Sequence, residues 1–208
     1  MKDQYFNSKL LRRFIKNTKG AVAIEFVFMI IVLTIMLVFM ADLALLRSHL
    51  GKMDNASYSL VNLLRERTQL YGKGHETLAL SQMVNGKLEN KDLSDFTKLA
   101  KHMMYGDANS KKELVVVLES LQFGESPIDA EPTVTHSFLG DKQRCEPATN
   151  LPSLKDIAPR SEVKETRTIP MYQVTICIKD YSIFKAIVLG ESERSGRLLR
   201  SSSVAVGR

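Results

Sequence analysis

Glu25 is the residue whose type and position first call for a chemical explanation, because it is a carboxylate inside an otherwise apolar run. The run extends from Ala21 to Ala41, and Thr34 is its only other polar residue. An acid at the centre of a membrane span costs about 2.5 to 3.5 kcal/mol, and less near an end. The pattern therefore predicts either a partner of opposite charge for Glu25 or a side chain that reaches the lipid headgroups.

The apolar run is long enough to cross a membrane. At 1.5 Å per residue, a helix over residues 21–41 spans the hydrocarbon core of about 30 Å. A core helix of a soluble protein and a secretory signal peptide are the alternatives. A chain of 208 residues can hardly enclose a helix that is apolar on all sides. Residues 42–46 (DLALL) fit a signal-peptide cleavage site poorly, so we predict a transmembrane helix.

The twenty residues before this run form a basic leader. They carry a net charge of +5 out of the formal +6 of the chain, from Lys2, Lys9, Arg12, Arg13, Lys16 and Lys19 against Asp3. Only Arg47 and Lys52 follow the span closely, so the positive-inside rule places the N-terminus in the cytoplasm. The rest of the chain has no stripe of Lys and Arg interleaved with aromatic residues, which argues against nucleic acid as a partner.

The junction between leader and span carries a recognisable motif. The residues from Lys19 to Phe26 (KGAVAIEF) resemble the processing motif of type IV pilin-like precursors. The pair Glu25-Phe26 is the form found in the tight-adherence (Flp) branch of that superfamily. The string alone is weak, but its place between a basic leader and a full-length span makes it specific.

The resemblance implies that a prepilin peptidase cuts between Gly20 and Ala21 and removes residues 1–20 on the cytoplasmic side. Glycine suits an extended scissile bond because it lacks Cβ. Cleavage would give Ala21 a new α-amino group, whose reference pKa of about 7.7 to 8.0 leaves it largely cationic. That group could pair with Glu25 of a neighbouring subunit and set the axial register of a fibre.

The resemblance also implies a cellular context. The chain would be a minor pilin-like subunit (pseudopilin), anchored in the bacterial inner membrane with its outer domain in the periplasm. Its expected partners are the peptidase, a TadE-type pseudopilin, the major Flp pilin, the inner-membrane assembly platform and membrane lipid. The major tight-adherence pilin resembles a bare short helix, so a chain with a bulky domain is expected to prime or cap the fibre.

Beyond the membrane the helix is expected to continue over residues 42–71 before an outer domain over residues 72–208. An apolar seam recurs at steps of three and four residues through Leu43, Leu46, Leu50, Met53, Ser57, Leu60 and Leu64. The seam packs either on the chain's own domain or on a partner helix. Gly51 would allow a bend, and residues 72–74 (GKG) predict the end of the helix.

The outer domain is predicted to be α+β with a small antiparallel sheet. Helices are expected over 75–84 and over 93–104, the latter with Leu93, Phe96, Leu99 and Met103 on one face. Residues 113–123 and 171–179 are strong strand candidates, and 133–139 and 198–206 are weaker ones. Residues 182–189 form either a short apolar helix or another strand. The segment 124–170 contains all six prolines and is expected to be mostly loop.

Cys145 lies in the predicted loop and Cys177 on a predicted strand. In an exported domain, two cysteines most simply form a disulfide, which would stabilise the fold by about 3 to 4 kcal/mol for a loop of this length. Two free core thiols or a metal pair remain alternatives. A cysteine after the strand Tyr172-Gln173-Val174-Thr175-Ile176, with another cysteine upstream, is similar to the TadF-type rather than the TadE-type pseudopilins.

Known catalytic patterns are absent from the sequence. The four histidines are dispersed, and neither H-E-x-x-H, G-x-S-x-G nor a P-loop occurs. We therefore expect no enzyme activity, no metal and no cofactor. Carboxylates in polar stretches are interpreted as solvated or capping residues, namely Asp92, Asp95, Glu119, Asp129 and Glu131. The alternatives are an uncleaved bitopic envelope protein that binds or senses a partner, and a membrane-anchored enzyme with an unrecognised site.

Overall fold

A computed structural model of the chain describes residues 19–66, 82–84, 87–89, 91–127, 130–164, 166–189 and 196–207. The elements in chain order are α1 (Lys19–Arg65), β1 (Gln82–Val84), β2 (Lys87–Glu89), α2 (Lys91–Tyr105), β3 (Leu114–Phe123), β4 (Val134–Leu139), a 3-10 helix (Leu151–Ile157), β5 (Met171–Asp180), α3 (Ile183–Leu189) and β6 (Arg197–Val206). The fold is α+β, as predicted. Among the described residues, 19–45 and 183–189 form one compact unit, and the others belong to a second.

The first half of α1, residues 19–45, is apolar on every side, and its most apolar stretch is not covered by protein. None of its most apolar stretch is buried, and Ile24 and Phe26 are 74% and 65% exposed. In the core helix of a soluble protein the same side chains would be enclosed, so their exposure argues against that alternative. One long apolar helix near the N-terminus fits a single-pass membrane protein, and the predicted span at 21–41 lies within it.

Residues 183–189, for which the sequence left two alternatives, form the helix α3 in the same unit. The rings of Phe184 and Phe39 meet edge to face with their centroids 5.5 Å apart. The backbone N–H of Ile183 donates a hydrogen bond of 2.9 Å to Asp42 Oδ1. Asp42 therefore satisfies one of the N–H groups that the first turn of a helix leaves without an intrahelical partner.

The second unit contains a four-stranded antiparallel sheet in the order β4-β3-β5-β6. All four predicted strands are present with ends within one residue of the expected ones. The two strongest candidates, β3 and β5, occupy the centre, because strands apolar on both faces require cover on both sides. The weaker candidates, β4 and β6, are the edges.

The second half of α1 packs on one face of this sheet, so the seam covers the chain's own domain. Met53, Leu60 and Leu64 are buried, while Leu46 and Leu50 are partly buried against the same core. The helix continues through Gly51. The seam prediction is thus confirmed from Leu46 onward. Residues 67–74, with the predicted helix end, lie outside the described residues.

A polar cluster is built into this apolar interface at Ser57. The Ser57 side chain is fully buried, and its Oγ lies 3.0 Å from Ser201 Oγ and 2.8 Å from Ser203 Oγ. Ser201 Oγ donates to Asp54 Oδ1 over 2.6 Å. Because buried hydroxyls need specific partners, this cluster fixes how α1 lies along β6.

Helix α2 packs on the same face of the sheet as α1. The helix face that it buries is rotated slightly from the predicted one. Phe96, Ala100 and Met104 are buried, whereas Leu99 and Met103 are 38% and 39% exposed. The helix ends at Tyr105, and the following Gly106 has a φ of 75° and donates its N–H to the carbonyl of His102 over 2.8 Å. Glycine adopts this left-handed conformation without the strain of a side chain.

The opposite face of the sheet is covered by loop and by the 3-10 helix. Leu151 of that helix is fully buried against Leu121 and Met171. Gly140 begins the covering loop with a φ of 113°, and a Cβ there would lie 2.4 Å from the carbonyl oxygen of Val116. Only glycine fits this close approach, so β4 can turn sharply onto the sheet.

The predicted helix at 75–84 is wrong at its end. Gln82–Val84 forms β1, which pairs antiparallel with β2, and Val84 is opposite Lys87. The two residues between these partners are Asn85-Gly86, and an Asn-Gly pair is a strong signal for a hairpin. The rest of the predicted helix, residues 75–81, lies outside the described residues.

Leu60→Ala tests the packing of α1 on the sheet. Leu60 is fully buried, so its truncation should lower the free energy of unfolding by about 2 to 5 kcal/mol. Leu63→Ala is the matched control, because Leu63 is on the same helix and 39% exposed; it should cost about 0.5 kcal/mol. Denaturant unfolding of both variants in detergent measures the difference, and equal losses would contradict the assignment.

Candidate processing and assembly site

Gly20 lies in the first turn of α1 in the structure. A Cβ built on Gly20 would meet no atom within 4 Å, so the fold itself does not demand glycine there. A peptidase that cuts an extended backbone must unwind this turn. Glycine favours unwinding, because it costs a helix about 1 kcal/mol relative to alanine. The leader cations Arg12, Arg13 and Lys16 lie outside the described residues, and Lys19 and Ala21 are described by their helical backbone.

Glu25 is exposed on the first half of α1, next to exposed Phe26. Within the part of the chain that the structure describes, no side chain forms a hydrogen bond or ion pair with the Glu25 carboxylate. A carboxylate in hydrocarbon is unfavourable unless a cation or a hydrogen-bond donor reaches it. Because Glu25 is exposed, a cation or a donor from another molecule can reach its carboxylate at the surface of this helix.

Thr34, the other polar residue of the apolar run, is satisfied in a different way. Its hydroxyl donates to the carbonyl of Ile30 on the same helix over 2.8 Å. Hydroxyl groups in membrane helices commonly form this local bond, so Thr34 needs no partner from outside. The two polar residues of the run thus differ in what they require.

The two candidate disulfide residues meet on the loop-covered face of the sheet. Cys145 and Cys177 are joined by a disulfide with a Cα–Cα distance of 5.6 Å, and both are buried against Val117. The bond ties the covering loop to the central strand β5. By closing a loop of about thirty residues it should contribute about 3 to 4 kcal/mol through the unfolded state.

Glu119, which the sequence interpretation assigned to the solvated carboxylates, is in fact fully buried on β3. His136 Nε2 lies 3.0 Å and Lys142 Nζ 2.5 Å from its Oε1. The signal for this burial is the strand itself, since Glu119 interrupts a sequence that is apolar on both faces. Asp95 and Glu131 are exposed as expected, and Asp129 lies outside the described residues.

The second unit contains a cavity of about 830 Å³. The enzyme alternative would need a concave site of this kind to bind a substrate. His49 Nδ1 lies 2.9 Å from Asp180 Oδ1 at its wall. The pKa of Tyr105, also in the wall, is raised by burial and by the Asp180 carboxylate, so the phenol stays protonated at neutral pH. No group of three or more metal-ligating residues occurs among the described residues.

The structure defines a class of protein: it has an exposed apolar N-terminal helix, which fits a single-pass membrane protein, and a small α+β domain folded on the second half of that helix. The family model described as "Putative tight adherence pilin protein F" (TadF) matches residues 13–208. The chain belongs to this TadF family. No curated protein and no solved structure matches it. Membership supports a structural role in a tight-adherence pilus and interaction with other pilus components.

Replacing both cysteines by serine tests the disulfide. The double variant Cys145→Ser with Cys177→Ser should lose about 3 to 4 kcal/mol of stability, and reduced wild-type protein should lose the same amount. A thiol titration of denatured, unreduced wild-type protein should find no reactive thiol. Two reactive thiols in that titration would show that the bond does not form in the cell.

Proposed function

We propose that this chain is the precursor of a minor pilin-like subunit needed to assemble a tight-adherence pilus. A prepilin peptidase cuts it between Gly20 and Ala21, and the basic leader stays in the cytoplasm. The apolar half of α1 first anchors the mature chain in the inner membrane and then packs with partner pilin-like helices. The α+β domain lies in the periplasm.

The observation that carries this proposal is the contrast between the two halves of α1. One face of its second half is buried in its own domain, whereas none of the most apolar stretch of its first half is buried. Lipid can cover such a surface, and so can the apolar helices of other subunits. A membrane subunit that assembles into a fibre needs a helix whose lipid contacts can be replaced by contacts with other subunits. The TadF family match supports this context.

Glu25 supplies specificity to an interface that is otherwise apolar. After cleavage, the α-amino group of Ala21 carries positive charge at neutral pH, given its reference pKa of about 7.7 to 8.0. Pairing of this group with Glu25 of a neighbouring subunit satisfies both charges in a medium that cannot solvate them. Because such a pair forms at one axial offset only, it sets the register between subunits.

The size of the outer domain supports a minor rather than a major role. The domain adds a four-stranded sheet and its covering layers to one helix, and it would crowd a fibre if present in every repeat. A priming or capping position avoids this crowding. We assign no catalytic activity to the domain. The proposed partners of the chain are the peptidase, the TadE-type and Flp subunits and the assembly platform.

Gly20→Trp tests the cleavage site. The indole should block the peptidase, so the chain should keep its full length on gels of cells that contain the enzyme. Gly51→Trp is the matched control, since Gly51 is also in α1 and also has no atom within 4 Å of a built Cβ. The control should be shortened like the wild type. Normal shortening of Gly20→Trp would contradict the assigned site.

Glu25→Ala tests the assembly role separately from insertion and cleavage. The variant should insert and be shortened normally, because alanine is well tolerated in an apolar helix, but cells that carry it should lose surface pili in electron micrographs. Thr34→Ala is the control and should assemble normally, because the Thr34 hydroxyl is satisfied within its own helix. Normal piliation with Glu25→Ala would remove the proposed role of this carboxylate.

A further inference from the structure

Helix α3 is a short apolar segment inserted between two strands of the sheet. Its sequence, IFKAIVL, contains one charged residue, Lys185. Ile183 is 48% exposed and Ile187 is 65% exposed. The two isoleucines are four residues apart and therefore share one face of the helix. Connections between strands are normally polar, so two adjacent exposed isoleucines call for an explanation.

Two contacts fix α3 beside the end of the apolar run of α1. Phe184 packs against Phe39, the third residue from the end of that run, with ring centroids 5.5 Å apart. Asp42, the first residue after the run, accepts a hydrogen bond of 2.9 Å from the N–H of Ile183. Both contacts lie within one compact unit. Helix α3 therefore sits at the level where α1 leaves the hydrocarbon.

We propose that α3 is a second membrane-contacting element, which inserts Ile183 and Ile187 into the lipid leaflet around the outer end of the α1 span. Phe184, next to Ile183 in the sequence, packs on Phe39 of α1, and Phe39 is itself 43% exposed. Because these contacts hold α3 beside α1, we expect the lipid that covers α1 at this level in the free subunit to reach the isoleucines of α3 as well.

The polar groups of α3 fit the same position. A backbone N–H at the edge of the hydrocarbon needs a partner, and Asp42 provides one for Ile183. The proposal requires only that α1 spans the bilayer. It is therefore independent of cleavage after Gly20 and of pilus assembly.

Tryptophan fluorescence provides the test, because the chain contains no tryptophan. Full-length Ile187→Trp, and Ile183→Trp as a second probe on the same face, are reconstituted at low protein density in phosphatidylcholine–phosphatidylglycerol vesicles. We expect blue-shifted emission from both, and quenching when lipids with brominated acyl chains are used. Leu37→Trp, within the span, gives the reference for a lipid-facing indole. Val163→Trp, at a position that is 94% exposed, gives the reference for water.

Emission from both α3 probes that matches Val163→Trp in wavelength and lack of quenching would overturn the proposal. So would a blue shift that bromolipids do not quench and that disappears on dilution into more lipid, because this result would mean that a second copy of the chain covers the isoleucines. Quenching close to that of Leu37→Trp, unchanged on dilution, is the supporting result.

Discussion

The structure depends on the different surroundings of the two halves of one helix. Helix α1 runs without interruption from Lys19 to Arg65. Its first half has apolar side chains in every direction, and no part of its most apolar stretch is buried, while its second half has a single buried seam. The hydrophobic effect drives the seam onto the sheet and drives the first half out of water altogether. One continuous helix thus serves two purposes. Where its apolar surface surrounds the helix it suits a membrane, and where the apolar surface is a single stripe it packs on the sheet.

The polar residues buried in this molecule specify its arrangement. Ser57 bonds within the interface of α1 with β6, and Glu119 is held by His136 and Lys142 beneath the loop that covers the other face of the sheet. Each cluster needs partners at defined positions, so it penalises alternative packings more than apolar contacts do. Glu25 differs, because its carboxylate has no partner among the described residues. This difference is why we place its function between chains.

Much of the fold follows from periodicity in the sequence. The apolar run, the seam from Leu46 to Leu64 and the two central strands are long and regular, so local pattern and tertiary packing agree. The misses are short or depend on tertiary contacts. Residues 82–84 form a strand and not the predicted helix, and the Asn-Gly pair that follows them is the signal for it. Burial of Glu119 follows only when the apolar residues on both faces of β3 are taken to mean cover on both sides. The structure of α3 depends on Phe39 and Asp42, which are far away in sequence.

The proposed processing site is a prediction from sequence alone, because a peptidase motif is a linear pattern and does not require a folded cavity. The structure adds that Glu25 is exposed and that a side chain at position 20 would meet no neighbouring atom within 4 Å, so packing does not require glycine there. The most direct test of the central claim is the intact mass and N-terminal sequence of the wild-type chain, expressed with and without its cognate prepilin peptidase. A chain that begins at Ala21 only when the peptidase is present is the predicted result, and a chain that retains residues 1–20 in both cases would contradict the account.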